Sequence, residues 1–300
     1  MQHRHRNFIS MISHLNSVPR PPERIVVIGS GGFVGGALVR RLAHANVPTL
    51  ALSRAEVDLL AVDGATTLGS LLRPTDAVVA VAAIAPVKNS RMLADNLQLV
   101  TTIIEALDKV KVAHVINISS DAVYADGPLP LTENSPLAPT SLHGAMHLAR
   151  ELAFGAEANA PLANLRPTLI YGPSDPHNGY GPNRFRRLAE QGKDIVLFGE
   201  GEARRDHVYV DDVAELITQV LQHKSVGALN IVTGHVHSFM EIAKAVVAIS
   251  GKPIAVKPSP RIGPMPHNGH RPFDTAVCQH AFPEFRYTLL REGLRKAAGH

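Results

Sequence analysis

Residues Ile25-Val26-Val27-Ile28-Gly29-Ser30-Gly31-Gly32-Phe33-Val34-Gly35 constrain this chain more than any other stretch. Four β-branched residues run into a glycine cluster, and Val34, Leu38, Val39 and Leu42 follow at helical spacing. A short run that is apolar at every position suits a parallel strand covered on both faces. Glycines at 29, 32 and 35 permit a tight turn and close approach of the backbone to a ligand. The helix behind them turns its N–H groups and the positive end of its dipole to the same point, where an anionic pyrophosphate fits. The plain alternative is a glycine-rich turn that only packs a helix on a sheet. The position between a strand and a helix favours the dinucleotide reading.

The rest of the chain sets the class. Its 300 residues are 45% hydrophobic and 19% charged, enough for one large domain or two smaller ones. The net charge of +4 is mild and spread out, which gives nucleic-acid binding little support and suits an anionic small substrate. The single cysteine, Cys278, excludes a disulfide framework within the chain and points to a reducing, cytoplasmic setting. No apolar run approaches the length of a membrane span. Residues 1–23, with His3, Arg4, His5, Arg6 and Arg20 and three late prolines, read as a flexible basic extension, or as sequence upstream of a start at Met11.

Strands then alternate with helices, which predicts an α/β fold: a doubly wound, Rossmann-type parallel sheet over residues 24–172. Thr49–Leu52 is a second strand ending in Ser53-Arg54, with no acid at its tip. A hydroxyl and a guanidinium there suit the 2′-phosphate of NADP better than the free ribose of NAD, unless Arg54 is only a solvated surface charge. Asp58-Leu59 reads as the end of a short third strand, with Asp58 accepting from the adenine amino group. Asp76–Ala83 reads as another buried strand, with Ala82 and Ala83 at its end small enough to let a cofactor lie on backbone. The strand Val112–Ile118 delivers Ser119, Ser120 and Asp121 to the crevice, and a later strand delivers Pro167. Residues 173–300 read as a smaller substrate-binding region, with 207–234 returning to the first domain. Asp211 or Asp212 is placed to cap a helix, and Ser238 with Glu241 forms a capping box.

The order of these motifs resembles the extended short-chain dehydrogenase/reductases, the NAD(P)-dependent nucleotide-sugar epimerase, dehydratase and reductase group. The resemblance runs from about Arg24 to Arg295. It rests on Gly29–Gly35, Val79–Ala83, Asn96, Ser119–Tyr124, Leu131–Pro136 and Arg205–Asp212, and the 53–59 stretch looks most like the NADP-using sugar reductases. It implies an oxidoreductase or epimerase that holds a nucleotide sugar in its carboxyl-terminal half. It also implies a homodimer through the helices Leu93–Leu107 and Ser141–Ala158. Arg184, Arg205 and Arg271 are available for the sugar-nucleotide pyrophosphate, with surface charge as the alternative for each, and Asp121 stands on the substrate side.

The same resemblance implies catalysis by a Ser or Thr, a Tyr and a Lys. Ser120 stands at the first position, but His143 and His147 stand where Tyr-x-x-x-Lys is expected. Residues four apart share a helix face. An imidazole titrates near neutrality without a lysine to assist it, so His143 can serve as acid or base and His147 can donate one bond to a ribose. A second reading is a binding protein that has kept its ligands and lost the redox step. A third is a zinc pair on one helix face, for which the sequence places no third ligand. Tyr124 is a further crevice residue and a replacement acid to be considered.

Overall fold

The computed structural model describes residues 10–299. Its amino-terminal half contains β1 (Ser13–His14), β2 (Arg24–Ile28), α1 (Phe33–His44), β3 (Thr49–Leu52), α2 (Gly64–Leu71), β4 (Asp76–Ala80), α3 (Ser90–Lys109), β5 (His114–Ile118) and α4 (Leu142–Glu157). After β6 (Leu162–Pro167) and β7 (Leu169–Tyr171) come α5 (Pro182–Glu190), β8 (Ile195–Val196), β9 (Arg204–Tyr209), α6 (Val210–Gln222) and β10 (Ser225–Ile231). The chain ends with β11 (Val236–Ser238), α7 (Phe239–Ser250), β12 (Val256–Lys257), β13 (His270–Arg271), α8 (Ala276–Ala281) and α9 (Leu290–Ala297).

The large sheet has the spatial order β3-β2-β4-β5-β6-β10-β1. All neighbours are parallel except β1, which runs antiparallel to β10. Side chains alternate along a strand, so one strand feeds two layers. Ile25 and Val27 enter a core with Leu38 of α1 and Leu216 and Ile217 of α6. Val26 and Ile28 enter the opposite core, with Leu68 of α2, Ile103 of α3 and Phe154 of α4. Both faces of the sheet are thereby covered, which is what the uninterrupted apolar run requires.

A smaller sheet is built around β9, which pairs with β7, β11 and β13. With α5, α7 and α9 it encloses a third core around Phe185, Leu197 and Ile242. The return to the large sheet begins at Val210, where α6 starts, and not at residue 207, because His207–Tyr209 pairs with β7 in the small sheet. The expected capping box forms: the Ser238 hydroxyl accepts from Glu241 N and the Glu241 carboxylate accepts from Ser238 N.

Three local expectations are corrected. Residues 10–23 are not a loose extension. Ile12 N donates to Ala228 O at 3.0 Å and Ser10 O accepts from Ala228 N at 2.8 Å, so this segment covers the edge of β10. The part of the expected extension before Ser10 lies outside the described residues. No strand forms at residues 57–59, which follow a turn. Neither Asp211 nor Asp212 caps α6, whose N-cap is Tyr209, and Asp212 instead accepts from the backbone N and hydroxyl of Thr288. Among the described residues no helix is long and apolar enough to cross a membrane.

Candidate active site

A cleft of about 1370 Å³ runs along the carboxyl ends of the parallel strands, between the large sheet and the small one. Its first wall is the glycine turn. Gly29 has φ of +97°, and a Cβ there would lie 2.6 Å from Ala82 N. A Cβ on Gly35 would lie 2.2 Å from Gly29 O, so only glycine lets α1 start directly on the turn. No side chain caps α1 and no acid stands in its first turn. The exposed N–H groups at the start of a helix form a ready cradle for an anion, and Gly31, Gly32, Phe33 and Val34 line the cleft at this point. This uncapped, acid-free helix start fits a dinucleotide pyrophosphate.

Ser53, Arg54, Asp58 and Leu59 line the adenosine end of the cleft, and Ala82, Ala83, Ser119 and Pro167 line its middle. Asn96, buried in α3, fixes the loop after β4: its amide donates to Ile84 O and accepts from Ile84 N. Two side chains are committed in ways the sequence did not reveal. Both oxygens of Asp58 accept bonds, from Leu60 N at 3.0 Å and from Arg54 at 3.1 Å. The Ser119 hydroxyl donates to Glu151 within a buried network. There the Arg166 guanidinium forms a two-pronged pair with Glu151, at 2.9 and 2.6 Å, and also donates to the Tyr124 hydroxyl at 2.7 Å. That hydroxyl donates in turn to Asn230. Burial pushes the Tyr124 pKa up to about 12.

Ser141 caps α4 with its hydroxyl, and the helix presents His143 and His147 to the cleft. The two rings meet edge to face with centroids 4.7 Å apart. The Nδ1 atom of each is buried without a partner. Burial holds the His143 pKa below the usual histidine value, while the Asp121 charge works the other way. His147 is held well below it by burial first, then by His143 and by Arg150. Arg150 continues the same helix stripe one turn beyond His147. It is fully buried, donates to Ala80 O, Ala82 O and Asn117 Oδ1, and pairs with no carboxylate among the described residues. The Ser120 hydroxyl accepts from Ala122 N and reaches Asp121 Oδ1 at 3.3 Å. Among the described residues no group of three or more His, Cys, Asp or Glu is placed to hold a metal ion.

The opposite wall comes from the small sheet. Arg205, Arg271 and Asp121 line the cleft as expected. Arg184 does not: it is exposed on α5, next to the lining residues Pro182 and Asn183 but not itself among them. His207 also lines the cleft, buried, with neither ring nitrogen bonded and its pKa lowered to about 3 by burial. The spacing of His143, His147 and Arg150, at i, i+4 and i+7, would have revealed the stripe. The depth of His207 depends on the packing of α7 through Phe239 and has no local signal.

The comparisons with known proteins fit this geometry. Residues 25–232 match the NAD dependent epimerase/dehydratase family. The chain belongs to that family. Among relatives, it is 28% identical over 259 residues to a probable GDP-L-fucose synthase of Oryza sativa subsp. japonica, covering 76% of this chain and 78% of the relative. Among solved structures, RMD from Pseudomonas aeruginosa complexed with NADPH superposes with a TM-score of 0.80 at 22% identity, covering 92% of this chain and 98% of that one. UDP-glucose 4-epimerase of Thermus thermophilus in complex with NAD superposes at 0.75 with 23% identity, covering 92% and 98%. Both share the fold.

Proposed function

We propose that this family member is an NAD(P)-dependent oxidoreductase or epimerase acting on a nucleotide sugar, with His143 as the group that moves the proton. The observation that carries the proposal is the shared cleft: an imidazole on α4, its Nδ1 buried without a partner among the described residues, lines the same space as the uncapped start of α1. A bound nicotinamide cofactor supplies the hydride acceptor and donor. The N–H groups at Gly31–Val34 would hold its diphosphate, Arg54 its adenosine end, and Ala82, Ala83 and Pro167 would flank it. A neutral His143 takes the proton from a sugar hydroxyl as that carbon is oxidised, and in the reverse direction returns it to the carbonyl oxygen. His147 donates a ring N–H to the ribose, and Ser120 orients the reacting hydroxyl.

NADP is the preferred cofactor in this reading, because Arg54 is 79% exposed and its i,i+4 pair with Asp58 is weak enough to yield to a phosphate. Arg205 and Arg271 serve the substrate diphosphate, as the names of the nucleotide-sugar relatives suggest. Leu97 on α3 and Leu142 and Leu152 on α4 are exposed on two helices that pack together, which supports a homodimer through this face.

The test is a panel of nucleotide sugars incubated with the protein and NADPH or NADH, followed for cofactor oxidation and for isomerised product. Turnover of at least one member is expected, falling roughly 100-fold or more in His143→Phe. A second reading has its own support, since the cleft contains no lysine among the described residues and burial holds both imidazoles below the usual histidine pKa. In that reading the protein binds cofactor and sugar nucleotide without redox chemistry. Silence across the panel with cofactor demonstrably bound would favour it.

A further inference from the structure

Asp121 stands between two partners. Its Oδ2 accepts from Arg271 Nε at 3.1 Å, and its carbonyl oxygen accepts from Arg271 Nη2 at 2.8 Å. Arg271 Nη1 donates to Asp126 Oδ1 at 2.9 Å, and the guanidinium is buried. Arg205, the neighbouring guanidinium, donates among the described residues only to the carbonyl oxygens of Arg204 and Pro266. Asp121 and Asp126 thus share Arg271, and Asp126 also pairs with His267.

On its other side Asp121 faces the catalytic helix. The turn Asp121–Val123 packs on the first turn of α4 so closely that a Cβ on Gly144 would lie 2.1 Å from Ala122 O. His143 directly precedes that contact, and its Nδ1 is buried without a hydrogen-bond partner among the described residues. The titratable groups facing it are Asp121 from the turn, His177 from the 173–181 loop and His147 from its own helix. Of these only Asp121 favours an imidazolium. Asp121 is faced in turn by Arg271, by Arg205 and by the buried Asp206.

We propose that Asp121 is a shared carboxylate: Arg271 holds it in the free protein, and an anionic substrate group that takes Arg271 releases it to the His143 imidazole. The proposal rests on the reading of His143 as the proton-transfer group and of the substrate as a diphosphate. A phosphate oxygen pair competes well for a guanidinium, because it offers the same two-pronged geometry with more charge. The same phosphate repels Asp121 and Asp126, which pushes the Asp121 side chain off Arg271 and toward the His143 imidazole on its other side. A carboxylate beside an imidazole favours the protonated form by about one to three pH units. The imidazole then takes a proton from solvent only once the substrate is seated. In the reductive direction the imidazolium gives that proton to the carbonyl oxygen as hydride reaches the carbon, leaving an alcohol and a neutral imidazole. Asp121 is thus a positioning residue that ties proton supply to occupancy of the phosphate end.

The experiment is an NMR titration of the His143 ring in the full chain, assigned by loss of its signal in His143→Gln. It is run with and without saturating UDP, whose binding is verified by calorimetry. UDP should raise the His143 midpoint by about one pH unit in the unsubstituted protein. In Asp121→Asn the midpoint should be lower from the outset and should not respond to UDP. Arg271→Met should raise it without ligand, because Asp121 is then free. Bound UDP with an unmoved midpoint overturns the coupling and leaves the nucleotide-sugar reading standing. If neither UDP nor inorganic pyrophosphate binds, that reading falls, and the Arg271→Met midpoint decides the sharing alone: raised supports it, unmoved overturns it.

Discussion

At the residue scale, cofactor choice turns on the tip of β3. The sequence showed no acid there, but Glu56 folds back so that its carboxylate accepts from Ser53 N at 2.7 Å. It is fully exposed and free to turn away, yet in place it repels a ribose phosphate that Arg54 would attract. Glu56→Gln should therefore tighten NADP binding about fivefold, the modest effect expected of one solvent-screened charge. NAD binding should not change, and Arg54→Ala should abolish the preference for NADP. Calorimetric titration of each variant with both cofactors measures this, and equal affinities in the unsubstituted protein would remove the NADP proposal. Legibility at this scale was uneven for a physical reason. A helix imposes fixed spacing, so His143 and His147 could be placed on one face from their numbers alone. The commitments of Asp58, Ser119 and Tyr124 are made to Arg54, Glu151, Arg166 and Asn230, and all but the first arise from chain segments brought together only by folding.

At the element scale, the turn between β2 and α1 was fully readable, since it depends on one strand, one helix and the glycines between them. Two glycines in the first turn and a half of α1 behave differently. A Cβ on Gly35 meets Gly29 O at 2.2 Å and Gly29 C at 2.9 Å, both backbone atoms that cannot swing aside. On Gly36 the nearest atoms are Ser30 O at 3.5 Å and an Arg40 nitrogen at 3.6 Å, which is normal contact. Gly35→Ala should therefore cost about 1–3 kcal/mol and abolish cofactor binding. Gly36→Ala should be neutral or stabilise by up to about 1 kcal/mol through helix propensity. Thermal unfolding with and without cofactor distinguishes the two, and similar behaviour in both variants would show that the turn tolerates displacement. The helix α2 was not legible for the opposite reason. Its sequence, Gly-Ala-Thr-Thr-Leu-Gly-Ser-Leu, has two glycines and two threonines, weak helix formers, and it is held by packing Leu68 against α3.

At the scale of the whole molecule, the amino-terminal strap decides whether the large sheet ends in an open edge. A basic, proline-rich composition suggested a free tail, but Ile12 is buried, and hydrogen bonds join Asn16 N to His223 O and Arg20 N to Gln222 O. His14 adds bonds to Ser225 Oγ at 2.8 Å and Ala281 O at 2.9 Å, and its ring stacks on His223 with centroids 4.2 Å apart. Composition could not reveal this, because a strap needs only a few side chains to pack and draws the rest of its stability from backbone pairing. Removing residues 1–20 would leave the N–H and C=O groups of β10 unpaired on an exposed edge, a template for pairing with another chain. The lost bonds and the burial of Ile12 together contribute about 2–4 kcal/mol, so the melting temperature should fall by about 5 °C and the protein should associate on heating. None of the strap residues lines the cleft, so cofactor affinity of the folded fraction should be unchanged. Calorimetry and light scattering on the truncated chain measure all three quantities. An unchanged melting temperature would mean that the edge of β10 is protected by something other than the strap, and a loss of cofactor affinity would mean that closing this edge sets the spacing of the strands beneath the cleft.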